Sequence, residues 1–158
     1  GTATITGKYK GTASAKLTVK FVLSPGGNDG STIVFCDISI APKVGASPEI
    51  EADGEASLDI VATVFGADGA PAPEGTSVTF ETNDGSFAPT QSDPLKYTTI
   101  TRKGEAYARL ISSENVTDNV LVRAQFICGG DPDGGTGALI ESLPLEVKFI
   151  APKPRPRL

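Results

Sequence analysis

The sequence predicts an all-β chain: a two-sheet antiparallel β-sandwich of about seven strands, with an extra β-hairpin in front of it. Three observations predict this. Two-residue alternation of apolar and polar side chains runs through nearly the whole chain, and no stretch keeps a helical period for three turns. Turn-forming residues punctuate the alternating runs, with 18 Gly and 12 Pro among 158 residues. Finally, one strand is written twice: residues 16–23 read KLTVKFVL and residues 144–151 read PLEVKFIA, with Leu17, Val19 and Phe21 aligned on Leu145, Val147 and Phe149. Each copy follows another alternating run, TATITGKYK and NVLVRAQF. Residues 1–23 therefore read as the last hairpin of one β-unit standing before a complete second unit, which is the signature of a repeat array or a polymer.

The elements follow in order. In the hairpin, Ala3, Ile5, Gly7 and Tyr9 alternate with Thr4, Thr6 and Lys8, then Leu17, Val19 and Phe21 alternate with Lys16, Thr18 and Lys20. Each strand has one apolar and one wet face. SPGGNDGS, residues 24–31, reads as a flexible linker. The main unit, residues 32–151, opens with TIVFCDISI, where Val34, Cys36, Ile38 and Ile40 share a face. Pro42 and the acidic stretch from Glu49 to Glu55 separate it from ASLDIVATVF, which turns Leu58, Ile60, Ala62 and Val64 inward. GADGAPAPEG is a turn-rich connection to TSVTFET, and NDGSF is another turn. PLKYTTITR and EAYARLISS are joined by KG, then NVLVRAQF, a glycine-rich acidic loop and LPLEVKFI complete the count. A basic tail with proline at 152, 154 and 156 closes the chain.

Composition narrows the function. Histidine is absent, which removes the commonest general base and imidazole ligand, and Trp is absent too. No apolar run approaches the roughly 20 residues of a membrane span. The chain starts at Gly1, which reads as a mature product or an excised fragment. Its net charge of −5 is segregated: all nineteen acids lie between Ser24 and Ile150 with only seven bases, while both ends carry bases alone. Such segregation suits basic ends that meet the acidic body of a neighbour; the alternative is a solvated surface that varies by chance. The acidic body would repel nucleic acid.

From Ala56 to Phe126 the chain resembles the group-1 bacterial immunoglobulin-like domains of invasin and intimin. The resemblance is carried by ATV-x-G-A-D-G-A-P-A-P-E-G-x-S-V-T-F from Ala62 to Phe80, and by Thr101, Gly104, Ala106, Leu110 and Ser112 in T-x-x-G-x-A-x-x-x-L-x-S. Asp68-Gly69 and Gly104 read as turn formers and Pro73 as a stiffener. The resemblance implies an immunoglobulin-like fold and extracellular modules strung end to end as stalks and adhesive tips. It supplies no catalytic residues. The long first strand with Cys36 and the insertion between the last two strands depart from the pattern.

In an immunoglobulin-type sandwich the start of the first strand and the end of the sixth share a pole, so Cys36 and Cys128 are expected to form a disulfide, as an oxidising extracellular site favours. The alternative is two buried thiols. Asp131 and Asp133, with Glu141 nearby, form a candidate calcium loop, but the closing glutamate of the familiar motif is out of register and a solvated loop is the favoured reading. No other cofactor is implied, and a zinc site lacks ligands. Glu49, Glu51, Asp53 and Glu55 alternate along an extended chain; paired carboxylates serve glycoside chemistry, yet no aromatic sugar platform accompanies them, and an exposed acidic loop that docks a neighbour's lysines fits better. Asn115-Val116-Thr117 matches a glycosylation sequon that chance supplies readily.

A lone two-stranded hairpin is marginal in water. Its apolar set, Ile5, Tyr9, Leu17, Val19 and Phe21, needs cover: from a truncated neighbouring domain, from the main sandwich in cis, or from another copy in a strand-complemented fibre. The sequence therefore points to a non-catalytic structural module of a bacterial surface assembly, a filament or fimbria-like array, associating through residues 1–23 with copies of itself or neighbouring immunoglobulin-like domains. The alternatives are a stalk domain of an invasin-like adhesin with a host or surface ligand, and a carbohydrate-binding accessory domain of a secreted enzyme.

Overall fold

The computed structural model describes residues 36–129 and 137–154 in full and, ahead of them, the strand pairing of 2–5, 8–9, 12–13 and 17–20. Two sheets face each other across the main unit. The first contains β5 (Asp37–Pro42), β7 (Ser57–Phe65), β11 (Glu105–Ile111) and β9 (Ser86–Ala88), in that order. The second contains β10 (Lys96–Ile100), β8 (Ser77–Thr82), β12 (Thr117–Cys128), β14 (Leu145–Ile150) and β6 (Glu49–Glu51), with β13 (Ala138–Glu141) also on β12. All pairs are antiparallel except β14 with β6. This is the two-sheet sandwich that the alternation predicts, and it is immunoglobulin-like, as the resemblance implies.

Burial follows sequence parity. Leu58, Ile60, Ala62 and Val64 of β7 are buried while the residues between them are half-exposed. Val120, Val122, Ala124, Phe126 and Cys128 do the same on β12. Three phenylalanines, Phe80, Phe87 and Phe149, fill the space between the sheets, and the small residues Ala62, Ala106, Ala108 and Ala124 make room for them. Phe80 and Phe87 meet tilted, with centroids 6.3 Å apart.

The seven strands expected from the alternation are present, and the structure adds three short ones. Glu49–Glu51, read from sequence as loop, is β6: Lys148 and Ala52 amides donate to the Pro48 and Ile150 carbonyls at 2.8 Å. Ser86–Ala88, read as part of a turn, is β9, and its Phe87 enters the core. Ala138–Glu141 extends the last strand backwards along β12. Between β13 and β14 the chain bulges at Ser142–Pro144; buried Ser142 accepts the Ala124 amide on Oγ at 3.0 Å and returns its own amide to the Ala124 carbonyl at 2.8 Å.

The KG turn forms as expected, with positive φ at Lys103 and Gly104 and reciprocal hydrogen bonds between Arg102 and Glu105. It does not close an ordinary hairpin, because β10 and β11 belong to different sheets. The turn is where the chain changes layer.

In the N-terminal segment, β1 (Thr2–Ile5) pairs with β4 (Leu17–Lys20), and β2 (Lys8–Tyr9) with β3 (Thr12–Ala13), each pair a separate two-stranded sheet. Ile5 stands opposite Leu17 and Ala3 opposite Val19. The register slips by one before the tip, where Tyr9 stands opposite Thr12. Phe21 lies outside the described residues.

Candidate functional site: the two poles of the sandwich

Cys36 is bonded to Cys128, with Cα atoms 6.3 Å apart. Cys36 immediately precedes β5 and Cys128 ends β12, so the bond ties the two sheets together at the pole where the chain enters the sandwich. Chain exit lies elsewhere. β14 runs antiparallel to β12 with Val147 opposite Val120 and Phe149 opposite Thr117, which puts Ile150 beside the start of β12. Entrance and exit thus stand at opposite ends of one strand.

Beside the entrance pole, the loop after β7 and the crossover before β11 are locked by Thr101, which is fully buried. Its hydroxyl donates to the Pro73 carbonyl at 2.6 Å and accepts the Thr76 amide at 3.1 Å. Its backbone accepts from Gly75 at 3.0 Å and donates to Thr76 at 2.9 Å. The Asp68 carboxylate accepts the Ala70 amide at 3.0 Å, as an Asx turn. At the exit pole, Asp53 accepts the Ala56 and Glu55 amides at 2.6 and 2.9 Å. Those bonds hold its carboxyl below the usual carboxylate range, the Ala56 bond most strongly. The Ser112 amide donates to the Ala56 carbonyl at 2.8 Å. Asp53 therefore has a local structural task, and Glu49 approaches Lys148 of its own chain at 4.0 Å, so the acidic stretch is partly occupied within the domain.

On the outer face of the first sheet, Asp59 and Arg109 stand directly opposite one another and form a forked ion pair, Nε–Oδ1 2.7 Å and Nη2–Oδ2 3.4 Å. The hydrogen bond from Arg109 lowers the Asp59 pKa, and Asp59 in turn raises that of Arg109. An open recess beside this pair is lined by Lys43, Pro89, Tyr97 and Tyr107. It is where a glycan-binding reading would have to find its platform.

On the outer face of the second sheet the register lines up Ile100, Ser77, Ile127 and Leu139 across four strands, one step beyond the Phe126–Val78 pair. Ile100, Ile127 and Leu139 are 53%, 61% and 50% exposed. Nothing in the alternation alone sets this row apart as a surface feature. Its signal in the sequence is an apolar residue on a polar parity: Ile127 follows Arg123 and Gln125 on the outward face of β12. The calcium expectation rests on Asp131 and Asp133, which lie outside the described residues; Glu141 sits exposed on β13 opposite Gln125. Among the described residues no three acidic, Cys or His side chains gather as a metal cluster.

The solved structures similar to this chain include intimin domains. A C-terminal 282-residue fragment of intimin in complex with the intimin-binding domain of the translocated intimin receptor aligns at 20% identity and a TM-score of 0.47, over 72% of this chain and 32% of the fragment. The D0–D1 domain of intimin aligns at 19% identity and a TM-score of 0.46, over 75% of this chain and 48% of its own. The human F-spondin reeler domain aligns at 13% identity and a TM-score of 0.47, over 71% of this chain and 88% of its own. The chain spans about a third to a half of the intimin structures it matches. No family model and no curated protein matches the sequence.

Proposed function

We propose that this chain is a non-catalytic structural module of an extracellular bacterial surface assembly, joined end to end through its N-terminal hairpin. The observation that carries the reading is the placement of the poles. The chain enters the sandwich at Cys36, against the end of β12, and leaves at Ile150, beside its start. A module strung in series needs that arrangement. Two further features support it. Among the described residues the hairpin strands pair with each other and with no strand of the sandwich, and a two-stranded unit gains its stability from a partner. The disulfide favours an oxidising compartment outside the cytosol.

The partner in this reading is a copy of the chain or a neighbouring immunoglobulin-like domain. Electron microscopy and sedimentation of the full chain, beside a version lacking residues 1–23, test it. End-to-end assemblies from the full chain and folded monomers from the shortened one are the expected result. Assembly that persists without residues 1–23 removes the hairpin from the joint. Monomers from both leave the stalk-domain reading, which the same pole placement supports.

A further inference from the structure

The disulfide does more to the topology than close a loop. Consider tension applied through the chain on either side of the sandwich, as the end-to-end reading requires; the inference rests on that reading for its biological setting, and on the fold alone for its mechanics. A pull arriving at Cys36 passes directly through the sulfur bridge to Cys128 and into β12. The chain between them, a sequence separation of 92, cannot be drawn out while the bond holds. That detour contains β5 to β11 and the turns that the resemblance rests on.

From Cys128 the tension must reach Ile150. Two routes connect them. The covalent route runs through residues 129–137, β13 and β14, and its contour exceeds the distance between its ends: roughly 22 residues span about 75 Å when extended, against about 35 Å along the folded strand. The taut route is the ladder between β12 and β14. The two strands are antiparallel, so their C-terminal ends point to opposite poles. Pulling on both ends slides one strand along the other. In that direction the ladder hydrogen bonds strain together instead of opening one after another. β6, paired on the far edge of β14, adds a parallel ladder loaded the same way. Val147 and Phe149 anchor β14 in the core, fully or almost fully buried, so sliding also drags apolar side chains out of their sockets.

We propose that the Cys36–Cys128 bond makes this sandwich a tension-carrying clamp with a built-in stop. Under load the domain holds through the sheared β12–β14–β6 ladder. If that ladder yields, the chain lengthens by only about 40 Å before the covalent path through Cys128 is taut. Without the bond, the whole sandwich unravels and adds about 310 Å more for the sequestered residues. The function is mechanical: an array of such modules gives a little under an overload and stays attached, with most of each domain still folded.

Single-molecule force spectroscopy on the full chain, held by handles at Gly1 and Leu158, reads this directly. Under non-reducing conditions the total unfolding length should be shorter by about 310 Å than for the Cys36→Ser/Cys128→Ser chain or for the chain in a phosphine reductant. A ten-residue Gly/Ser insertion after Gly129 adds a second reading, of the covalent path that supplies the stop. It should lengthen one non-reducing step by about 34 Å and leave its rupture force unchanged. Equal total lengths with and without the bond, or an insertion that lengthens no step, overturns the clamp. The measurement is made on single molecules, so it is separate from assembly. A chain that shows the stop but forms no end-to-end assemblies upholds the clamp and removes its proposed setting; one that assembles but unravels fully without reductant keeps the setting and removes the clamp.

Discussion

Gly69 and Gly104 read alike in the sequence, as turn glycines in a shared motif, but the fold gives them different tasks. Both have positive φ, 74° and 78°. A Cβ at Gly69 would meet nothing within 4 Å. A Cβ at Gly104 would lie 2.7 Å from Pro71 Cβ and 3.2 Å from the Val64 carbonyl oxygen. Neither neighbour can yield easily. Pro71 bridges to Phe65, and the Val64 carbonyl accepts the Ala72 amide at 2.8 Å while the Val64 amide donates to Gly104 itself at 2.8 Å. Placing alanine in the left-handed region costs about 1–2 kcal/mol, and its stiffer unfolded chain returns about 0.4–1 kcal/mol. Gly69→Ala should therefore lose about 0.5–1 kcal/mol. Gly104→Ala carries the same strain plus an overpacking cost of about 1–3 kcal/mol, for a loss of about 2–4 kcal/mol and a midpoint lower by about 4–16 °C. Urea unfolding of the disulfide-intact chain measures both, with an unchanged slope as the check that only stability has moved. Losses that agree within about 0.5 kcal/mol would mean that backbone conformation alone decides, and would refute the close approach of the layer-changing turn to the loop after β7.

Replacing both cysteines, Cys36→Ser with Cys128→Ser, should cost about 4–5 kcal/mol by the chain-entropy estimate for so long a loop, read as a shift in the urea midpoint, and thiol titration of the parent should find no free thiol. Thr101→Val keeps the shape and removes the hydroxyl; because the Thr76 amide retains a longer bond to the Pro73 carbonyl at 3.3 Å, the loss should be about 1–2 kcal/mol by the same assay. Asp53 and Asp59 have folded pKa values below their ordinary ones, so their contribution is present above the unfolded carboxylate value and fades as pH falls through the lower folded values. Stability followed from pH 7 downward should accordingly fall below about pH 4, and Asp59→Asn should flatten that fall.

Parity made the core legible. Alternation turns Leu58, Ile60, Ala62 and Val64 inward, and each is buried because a pleated strand leaves no other choice once its neighbour is fixed. What parity cannot carry is partnership. β6 is three residues long and takes its stability from β14, roughly a hundred residues later in the chain, in the one parallel pairing among the described residues. β9 holds a single inward side chain, Phe87, too few for any period to show. The break between β13 and β14 is written as Ser142 and Pro144, yet the reason for a serine there is the Ala124 backbone on another strand. Local pattern reports the face a residue shows, whereas register and sheet membership depend on closures between distant segments.

The same distinction explains why the motif identifies a fold without announcing a ligand. Thr101 pins the loop after β7 to the crossover, Gly104 lets the turn approach Pro71, Ala106 and Leu110 fill the interior, and the Ser112 amide closes on Ala56 near Asp53. Every one of these contacts is spent inside the domain, at the places where the chain passes between layers. A residue so engaged has no free group to offer a partner. What such a module does outside itself must be carried by positions that the fold leaves unconstrained. In this chain those are the exposed parity of β10, β12 and β13, the recess beside Arg109, and the two poles, where a disulfide on one side and the end of β14 on the other decide how a pull on the chain is shared among its strands.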